Sequence, residues 1–165
     1  MKLYKPHSFC SFCGHAYAPS QGWPKQCQNC GKFTYRNPIP VGVLVVPVGE
    51  GVLCIRRNIE PQKGWLALPG GYIDYGEDWR IGSARELLEE TMIVTNPKSI
   101  RLLDVISPPS GRQVLIFGQA DSIEPDALSV FSPSSETSEI VVTYEPIELA
   151  FSSHTEVLAQ YFAQR

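Results

Sequence analysis

Four of the five cysteines form two short pairs, which restrict the fold of the N-terminal segment more than any other feature of the sequence. Cys10 and Cys13 make the first pair, Cys27 and Cys30 the second, and 13 residues separate the pairs. A glycine follows each pair directly, which favours a tight turn that aims both sulfurs at one point. Two such turns close a tetrahedron of thiolates around Zn²⁺ and leave no position for water. We therefore predict a structural zinc site made of these four cysteines.

The first 36 residues are too short to bury an apolar core, so a bound metal should supply most of their folding free energy. They carry five basic residues, no acidic residue and seven aromatic residues, whereas the rest of the chain has a net charge of −8. Four thiolates with one Zn²⁺ reduce the charge of the segment to about +3. Basic residues among aromatic rings are typical of nucleic-acid binding. We expect the rings instead to pack as the core of the module or to form a homodimer contact, and His15 to lie on the surface.

The boundary between two domains is predicted at "YRNPIP", residues 35–40, because two prolines hold this stretch extended. Residues 1–36 then form a zinc ribbon and residues 37–165 a larger domain. The larger domain is expected to begin with two strands, residues 41–48 and 52–57, joined by a tight hairpin. Further strands are predicted at "WLAL", "IRLLDVI", "RQVLIFGQA" and "EIVVTY". Cys54 lies in the second strand and is expected to be a small buried hydrophobic residue.

Two helices are predicted, at residues 78–91 and 153–164, and residues 122–137 read as irregular. Ile81, Ala84, Leu87 and Leu88 recur at spacings of three and four, which predicts an apolar face on the first helix. This order of strands and helices indicates an α+β fold with a mixed sheet. The chain has neither an apolar stretch of about 18 residues nor the apolar core of a signal peptide, so we expect a soluble cytoplasmic protein that contacts no membrane.

Three glutamates crowd onto one face of the first predicted helix. Glu86, Glu89 and Glu90 stand at positions i, i+3 and i+4, which places their carboxylates side by side. They also lie in the second half of the helix, where its dipole disfavours negative charge. No lysine stands four residues further on to relieve them. Clustered hard oxygens are the ligands that Mg²⁺ and Mn²⁺ prefer, so we predict a divalent cation site on this face.

The region around these glutamates resembles the signature of the Nudix hydrolases. That signature reads Gly, five residues, Glu, seven residues, Arg-Glu-apolar-x-Glu-Glu-x-Gly-apolar. The matching positions are Gly71, Glu77, Arg85, Glu86, Leu87, Glu89, Glu90 and Ile93. Met92 departs from the pattern, since it stands where the family has the glycine that ends the helix. A residue other than glycine should cost about 1 kcal/mol there or shift the turn. The cysteine pairs are similar to those of a subgroup with an N-terminal zinc ribbon.

The resemblance implies a Nudix fold, a mixed sheet between helices, and hydrolysis of a nucleoside diphosphate linked to another group. It implies that Glu86, Glu89 and Glu90 bind Mg²⁺ or Mn²⁺, with the carbonyl of Gly71 as a further contact to metal or substrate. Arg85 would orient a glutamate and pair with Glu77.

The resemblance leaves the general base open between Glu86 and a later acid. Glu136 and Glu139 are the candidates for that acid, and we favour Glu139 because it enters a strand. Arg56 and Arg57 are candidates for contacts with substrate phosphates.

The substrate is the open part of this interpretation. Members of the ribbon subgroup that cleave NADH carry a Ser-Gln-Pro-Trp-like motif after the signature, and this chain has "SPPSGRQVLIF" instead. Pro108 and Pro109 stand about where ADP-ribose enzymes of the family have a proline. ADP-ribose or FAD is therefore expected in preference to NADH. The alternative is a nucleic-acid-binding or regulatory protein in which a Nudix domain only senses a ligand.

Overall fold

The computed structural model describes residues 6–164 of the chain. The chain divides into two compact units, residues 1–38 and residues 39–165. Lys2, Tyr4 and Lys5, which contribute to the basic and aromatic character of the first segment, lie outside the described residues. No helix in the described part of the chain is long and apolar enough to cross a bilayer.

The first unit is built from two similar turns and a short hairpin. Strands β1 (Lys25–Gln26) and β2 (Phe33–Thr34) pair antiparallel. Its buried cluster consists of Cys10, Tyr17 and Cys27. The expectation that the aromatic residues form the core of this unit is therefore wrong for most of them, since Tyr17 is the one buried ring among those described. The cysteine side chains occupy the centre in their place.

The second unit contains two four-stranded sheets. Strands β3 (Ile39–Val45), β7 (Gly70–Tyr72), β8 (Arg101–Ile106) and β9 (Gln113–Gln119) form one, in the order β7-β3-β9-β8. Its two central strands, β3 and β9, run parallel. The other contains β4 (Pro47–Val48), β5 (Gly51–Arg57), β6 (Leu66–Ala67) and β10 (Thr137–Thr143), and β5 pairs with the other three.

Two helices belong to the second unit, α1 (Trp79–Thr91) and α2 (Ser152–Ala163). Leu87 of α1 and Leu158 of α2 belong to two different buried clusters, and β3 supplies residues to both. Together they give the predicted α+β architecture, with the mixed sheet between helices. Residues 122–137, predicted to be irregular, contain a short 3₁₀ helix, Pro125–Val130.

The predicted hairpin is wrong in its pairing. Strand β3 belongs to the first sheet, and the hairpin partner of β5 is the two-residue strand β4, with Pro47 opposite Val52. Val46 lies between β3 and β4, and its carbonyl accepts a hydrogen bond from the amide of Leu53. The chain thus passes from one sheet to the other within an unbroken apolar run. Both faces of this run are buried, so its side-chain pattern carries no sign of the crossing.

The apolar face predicted for α1 is also partly wrong, because Ile81 and Leu88 are exposed. The buried positions include Gly82, Ser83 and Leu87. A Cβ atom at Gly42 of β3 would overlap the hydroxyl of Ser83, so small residues on both elements let the helix lie close to the sheet. This close approach decides which face of the helix is buried.

Helix α1 begins and ends as the signature predicts. Asp78 caps its N-terminus by accepting a hydrogen bond from the amide of Arg80. Met92 ends it with φ 63°, in the left-handed region, and its amide donates to the carbonyl of Leu88. The turn is therefore kept although the glycine is replaced, and Met92 carries the cost of a conformation that disfavours a Cβ atom.

Met92→Gly should stabilise the protein by about 1 kcal/mol, because glycine adopts positive φ without steric cost. Half of the Met92 surface is exposed, so little packing is lost. The free energy of unfolding from urea titration measures the effect. Met92→Ala, which removes the side chain but keeps the Cβ atom, is the matched control and should show no such gain. Equal stability of the glycine and alanine variants would contradict the assignment of strain to this residue.

Candidate active site and metal centre

A single guanidinium group organises the acidic face of α1. Arg85 holds Glu77 with two hydrogen bonds, from Nε to Oε1 (3.1 Å) and from Nη2 to Oε2 (3.0 Å). Its Nη1 donates to Glu86 at 2.8 Å and to Glu89 at 3.4 Å, and its Nη2 donates to the carbonyl of Tyr72 at 2.9 Å. Hydrogen bonds from Arg85 lower the pKa of Glu77. Arg85 thus joins the loop before the helix to two of its three clustered carboxylates.

Glu86 lies directly beneath the glycine pair that precedes the helix. A Cβ atom at Gly71 would overlap the Glu86 carboxylate, so only glycine allows this approach. Burial raises the pKa of Glu86, the ion pair with Arg85 opposes that rise, and the charges of Glu89 and Glu136 add to it. Glu86 is thus a partly buried carboxylate held against the backbone, and its burial outweighs the ion pair with Arg85.

Glu90 is the most buried of the three carboxylates, with 7% of its surface exposed. Its Oε2 accepts a hydrogen bond from the amide of Gly70 at 2.8 Å. Burial raises the pKa of Glu90 to about 8, with further increases from Glu86 and Glu136, while the Gly70 amide and Arg57 act in the opposite direction. A group this buried and this poorly compensated is ionised at neutral pH only if a cation is added.

The two late acids occupy different environments. The carboxylate of Glu139 pairs with Nε of Arg56 at 2.6 Å and is half exposed. Glu136, in contrast, acts electrostatically on both Glu86 and Glu90. A register shift between Thr137 and Glu139 marks a bulge at this end of β10. Sequence reasoning favoured Glu139, whereas the charge that faces the helix carboxylates is that of Glu136.

Arg56 and Arg57, the candidates for phosphate contacts, both bind parts of their own domain. Besides Glu139, Arg56 contacts the carbonyl of Gly64 at 3.0 Å. Arg57 donates to the carbonyl of Pro61 at 2.9 Å, and its guanidinium lies over the ring of Phe151. Arg57 is also the cation that acts on Glu90. Both guanidinium groups are therefore engaged within the domain, and Arg57 in addition acts on the carboxylate site.

His154 supports the site from behind, and sequence reasoning did not single it out. Its Nδ1 accepts a hydrogen bond from the amide of Leu68 at 3.3 Å, two residues before Gly70. Its ring packs edge-on against Phe117. Burial, with a contribution from Arg57, lowers the pKa of His154 to about 3, so the imidazole is neutral and its Nδ1 remains an acceptor. The sequence places His154 near the cap of a predicted helix, which carries no signal of this contact.

The four paired cysteines converge in the first unit, as their spacing predicts. Their sulfurs all lie within 4.8 Å of one another, an arrangement that can hold a metal ion. Gly14 and Gly31, with φ 73° and 72°, close the two turns by donating to the carbonyls of Cys10 and Cys27.

The backbone around these sulfurs favours thiolates. Although burial opposes it, amide hydrogen bonds from Phe12 and Cys13 lower the pKa of Cys10 to about 6. The fifth cysteine, Cys54, is fully buried as predicted, and burial raises its pKa to about 12. The amide of Lys32 lowers the pKa of Cys30, but burial and the other three cysteines raise it to about 11. A cation such as Zn²⁺ at the centre would let all four sulfurs bind as thiolates.

Within residues 6–164, the four cysteines are the one group of three or more cysteine, histidine, aspartate or glutamate side chains gathered this closely. The helix carboxylates are brought to one face without converging, since Glu89 extends into solvent and Glu90 turns toward Gly70. The donor set nevertheless fits a hard divalent cation, because it offers carboxylate oxygens in a place where burial and neighbouring negative charge raise the pKa of Glu86 and of Glu90.

Comparison with known proteins agrees with this geometry. The sequence profile of the NUDIX domain matches residues 37–161. A NUDIX hydrolase from Nitrosomonas europaea has a similar structure, with a TM-score of 0.78 and 28% identity, covering 96% of this chain and 92% of that one. A bifunctional NMN adenylyltransferase/ADP ribose pyrophosphatase from Francisella tularensis shares the fold, with a TM-score of 0.56 and 22% identity, over 66% of this chain and 34% of that one.

A curated relative, the NAD-capped RNA hydrolase NudC of Salmonella heidelberg (strain SL476), is 28% identical over 93 residues. The match covers 56% of this chain and 36% of the relative. The chain therefore spans about a third of the length of the curated relatives it matches.

Glu90 should make the stability of the metal-free protein depend on pH. Its folded pKa of about 8 lies above its ordinary value of 4.5, so the folded state retains a proton that the unfolded state releases between these values. The Glu90 contribution to the free energy of unfolding should therefore fall between pH 4.5 and 8, by up to about 1.4 kcal/mol per pH unit. The lowered pKa of His154 has the opposite effect between about pH 3 and 6.5, so the net fall is expected between pH 6.5 and 8.

Urea titrations in a chelating buffer measure this dependence. Glu90→Gln should remove the downward slope, while Glu89→Gln, at an exposed carboxylate, should keep it. Parallel pH profiles for the wild type and Glu90→Gln would contradict the assignment.

The cysteine cluster should hold one Zn²⁺ per chain. Cys27→Ser should release the metal and expose residues 1–36 to protease, because so short a segment cannot stay folded alone. Elemental analysis and limited proteolysis under reducing conditions measure both effects, and residues 39–165 should stay folded. Cys54→Ala, at a buried cysteine outside the cluster, is the matched control and should retain zinc. Wild-type protein without zinc, or Cys27→Ser with it, would contradict the assignment.

Proposed function

This chain belongs to the Nudix hydrolase family, and we propose that it is a pyrophosphohydrolase that cleaves a nucleoside diphosphate linked to another group. The observation that carries the proposal concerns half-buried Glu86 and buried Glu90: burial raises the pKa of both carboxyl groups, and the charge of Glu136 raises them further. Ionising acids in such a place costs free energy, and a bound divalent cation offsets that cost. One product of the proposed cleavage is a nucleoside monophosphate.

Glu86, Glu89 and Glu90 would hold Mg²⁺ or Mn²⁺, with the carbonyl of Gly71 as a further contact. When bound, the metal neutralises the charge of the pyrophosphate and lowers the pKa of a coordinated water. Glu90 gives up its proton as it becomes a ligand. The Gly70 amide keeps the Glu90 carboxylate oriented throughout, since it donates to one oxygen and leaves the other for the cation.

Arg85 serves as the positioning residue of the site. It cannot lose its proton, and its two bonds to Glu77 leave Nη1 to hold Glu86 in place. The same guanidinium relieves part of the repulsion between Glu86 and Glu89. The Glu86 carboxylate therefore meets the substrate in one orientation rather than in several, which lowers the entropic cost of the reactive geometry.

We propose Glu136 as the general base. A base must be ionised and must face the water that it deprotonates. The charge of Glu136 acts on the helix carboxylates, whereas Glu139 is engaged by Arg56 at 2.6 Å. Glu86 remains the alternative base, but Arg85 already holds its carboxylate at 2.8 Å and we assign that carboxylate to the cation. Arg56 would then hold the Glu139 end of β10, and Arg57 would compensate Glu90.

ADP-ribose or FAD is the favoured small substrate, for the reasons given by "SPPSGRQVLIF" and by Pro108 and Pro109. A second candidate substrate is an RNA that carries a dinucleotide such as NAD at its 5′ end, which the name of the Salmonella relative supports. Both kinds of substrate place a pyrophosphate between a nucleoside and a second group, so the carboxylate site treats them alike. Discrimination between them has to come from residues outside it.

Turnover of at least one of ADP-ribose, FAD, NADH, a diadenosine polyphosphate and 5′-NAD RNA is expected with Mg²⁺ or Mn²⁺. Glu136→Gln should lower kcat by about 10²- to 10⁴-fold, the usual loss for a general base, and Glu90→Gln should abolish turnover. Glu139→Gln should have a much smaller effect, and Glu156→Gln, at an exposed glutamate of α2, should have none. Steady-state kinetics with folded, zinc-loaded protein measure these effects.

Two outcomes would overturn parts of this proposal. Absence of turnover with every substrate would favour the ligand-sensing alternative over an enzyme. A larger loss in Glu139→Gln than in Glu136→Gln would transfer the role of base to Glu139.

A further inference from the structure

Five aromatic rings of the first unit are exposed. Phe9, Phe12, Trp23, Phe33 and Tyr35 have between 40% and 62% of their surface accessible. The buried cluster of this unit consists of Cys10, Tyr17 and Cys27, and these five rings lie outside it. Large apolar surfaces left in water on so small a unit usually mark a binding surface.

Two of these rings form a platform on strand β2. Phe33 and Tyr35 are two residues apart, so they lie on the same face of the extended chain, and their ring centroids are 6.3 Å apart with planes tilted by 31°. Thr34, between them, is anchored on the opposite face by hydrogen bonds to the hydroxyls of Tyr17 and Ser11. The anchored threonine keeps both rings directed away from the cysteine cluster.

The charged side chains of the first unit are all basic, and two of them lie over other exposed rings. The ammonium group of Lys32 lies 4.8 Å from the ring centre of Phe12, and that of Lys25 lies 5.1 Å from that of Trp23. Arg36 follows Tyr35 directly and is exposed. Residues 1–36 contain no acidic residue, whereas the remainder of the chain has a net charge of −8. An anionic chain is therefore attracted to the first unit and repelled by the rest of the protein.

We propose that this surface, formed by Lys32, Phe33, Tyr35 and Arg36, binds a single-stranded nucleic acid. Unpaired bases stack on the two rings, and the phosphates are attracted to Lys32 and Arg36, whose long side chains flank the rings in sequence. A duplex hides the faces of its bases and offers nothing to stack. A second copy of this chain is disfavoured as the occupant, because it would bring the same positive charge to the surface.

The binding test uses an oligonucleotide that the carboxylate site cannot cleave. A fluorescent single-stranded RNA of about 12 nucleotides with a 5′-hydroxyl group has no pyrophosphate, so its binding is independent of the proposed hydrolysis. Fluorescence anisotropy with full-length, zinc-loaded protein should show binding that weakens between about 50 mM and 200 mM salt. An excess of ADP-ribose should not displace the RNA. A DNA strand of the same sequence tests whether the 2′-hydroxyl contributes.

Variants at Tyr35 separate stacking from simple apolar contact. Tyr35→Leu keeps an apolar side chain without a π face and should weaken binding roughly tenfold, whereas Tyr35→Phe should bind as the wild type does. Arg36→Gln should make the slope of log K against log salt shallower by about 0.7, the value for one phosphate contact on a single strand. Tyr144→Ala, at an exposed ring of the second unit, should change nothing. Zinc content shows that each variant is folded.

Three results would overturn the proposal. The first is the absence of RNA binding at low salt by protein that contains zinc. The second is equal binding by Tyr35→Leu and Tyr35→Phe. The third is a wild-type dimer that Tyr35→Leu dissociates, which would assign the surface to a second copy of this chain.

Discussion

The Arg85 guanidinium is the interaction on which the candidate active site depends. It spans Glu77 in the loop before α1, the carbonyl of Tyr72 at the end of β7, and Glu86 and Glu89 on the helix itself. Without this fork, the loop and the helix would present only mutually repelling carboxylates. A planar group with five donors is suited to join several acceptors at fixed angles, which a lysine cannot do. One side chain thus positions the carboxylates of the acidic face and reduces the repulsion between them.

Arg85 does not compensate the whole charge of the site. Glu90 is buried and its pKa is raised to about 8, with the amide of Gly70 and the more distant Arg57 as the groups that oppose the rise. Local choices that cost stability are expected where function requires them. Two further unusual features lie near Glu90. Gly70 has φ 153°, and a neutral, buried His154 accepts a hydrogen bond from the amide of Leu68. Without a cation, ionising the buried Glu90 lowers the stability of the folded state, and a bound cation would compensate that charge.

The two units divide the chemistry of the chain between them. The first gathers soft thiolates in a segment whose charged residues are all lysine or arginine, while the second gathers hard carboxylates in an acidic domain. Sulfur and oxygen ligands select different metals, so a structural zinc and a catalytic magnesium or manganese need not compete. The opposite charges also give the units different partners. A small metal-bound nucleotide suits the carboxylates, and an extended polyanion suits the rings and cations of the first unit.

Short-range spacing determined most of what the sequence alone revealed. The cysteine pairs, the helix that begins after Asp78, and the shared face of Glu86, Glu89 and Glu90 follow from local geometry. The tertiary structure decided the rest. The crossing of β3 between sheets is hidden in a run buried on both faces, and the buried face of α1 depends on the fit of Ser83 against Gly42. The difference between Glu136 and Glu139 arises at a bulge, and the contact of His154 with Leu68 joins residues 86 positions apart. Such features depend on which segments meet in space, and no local pattern encodes that.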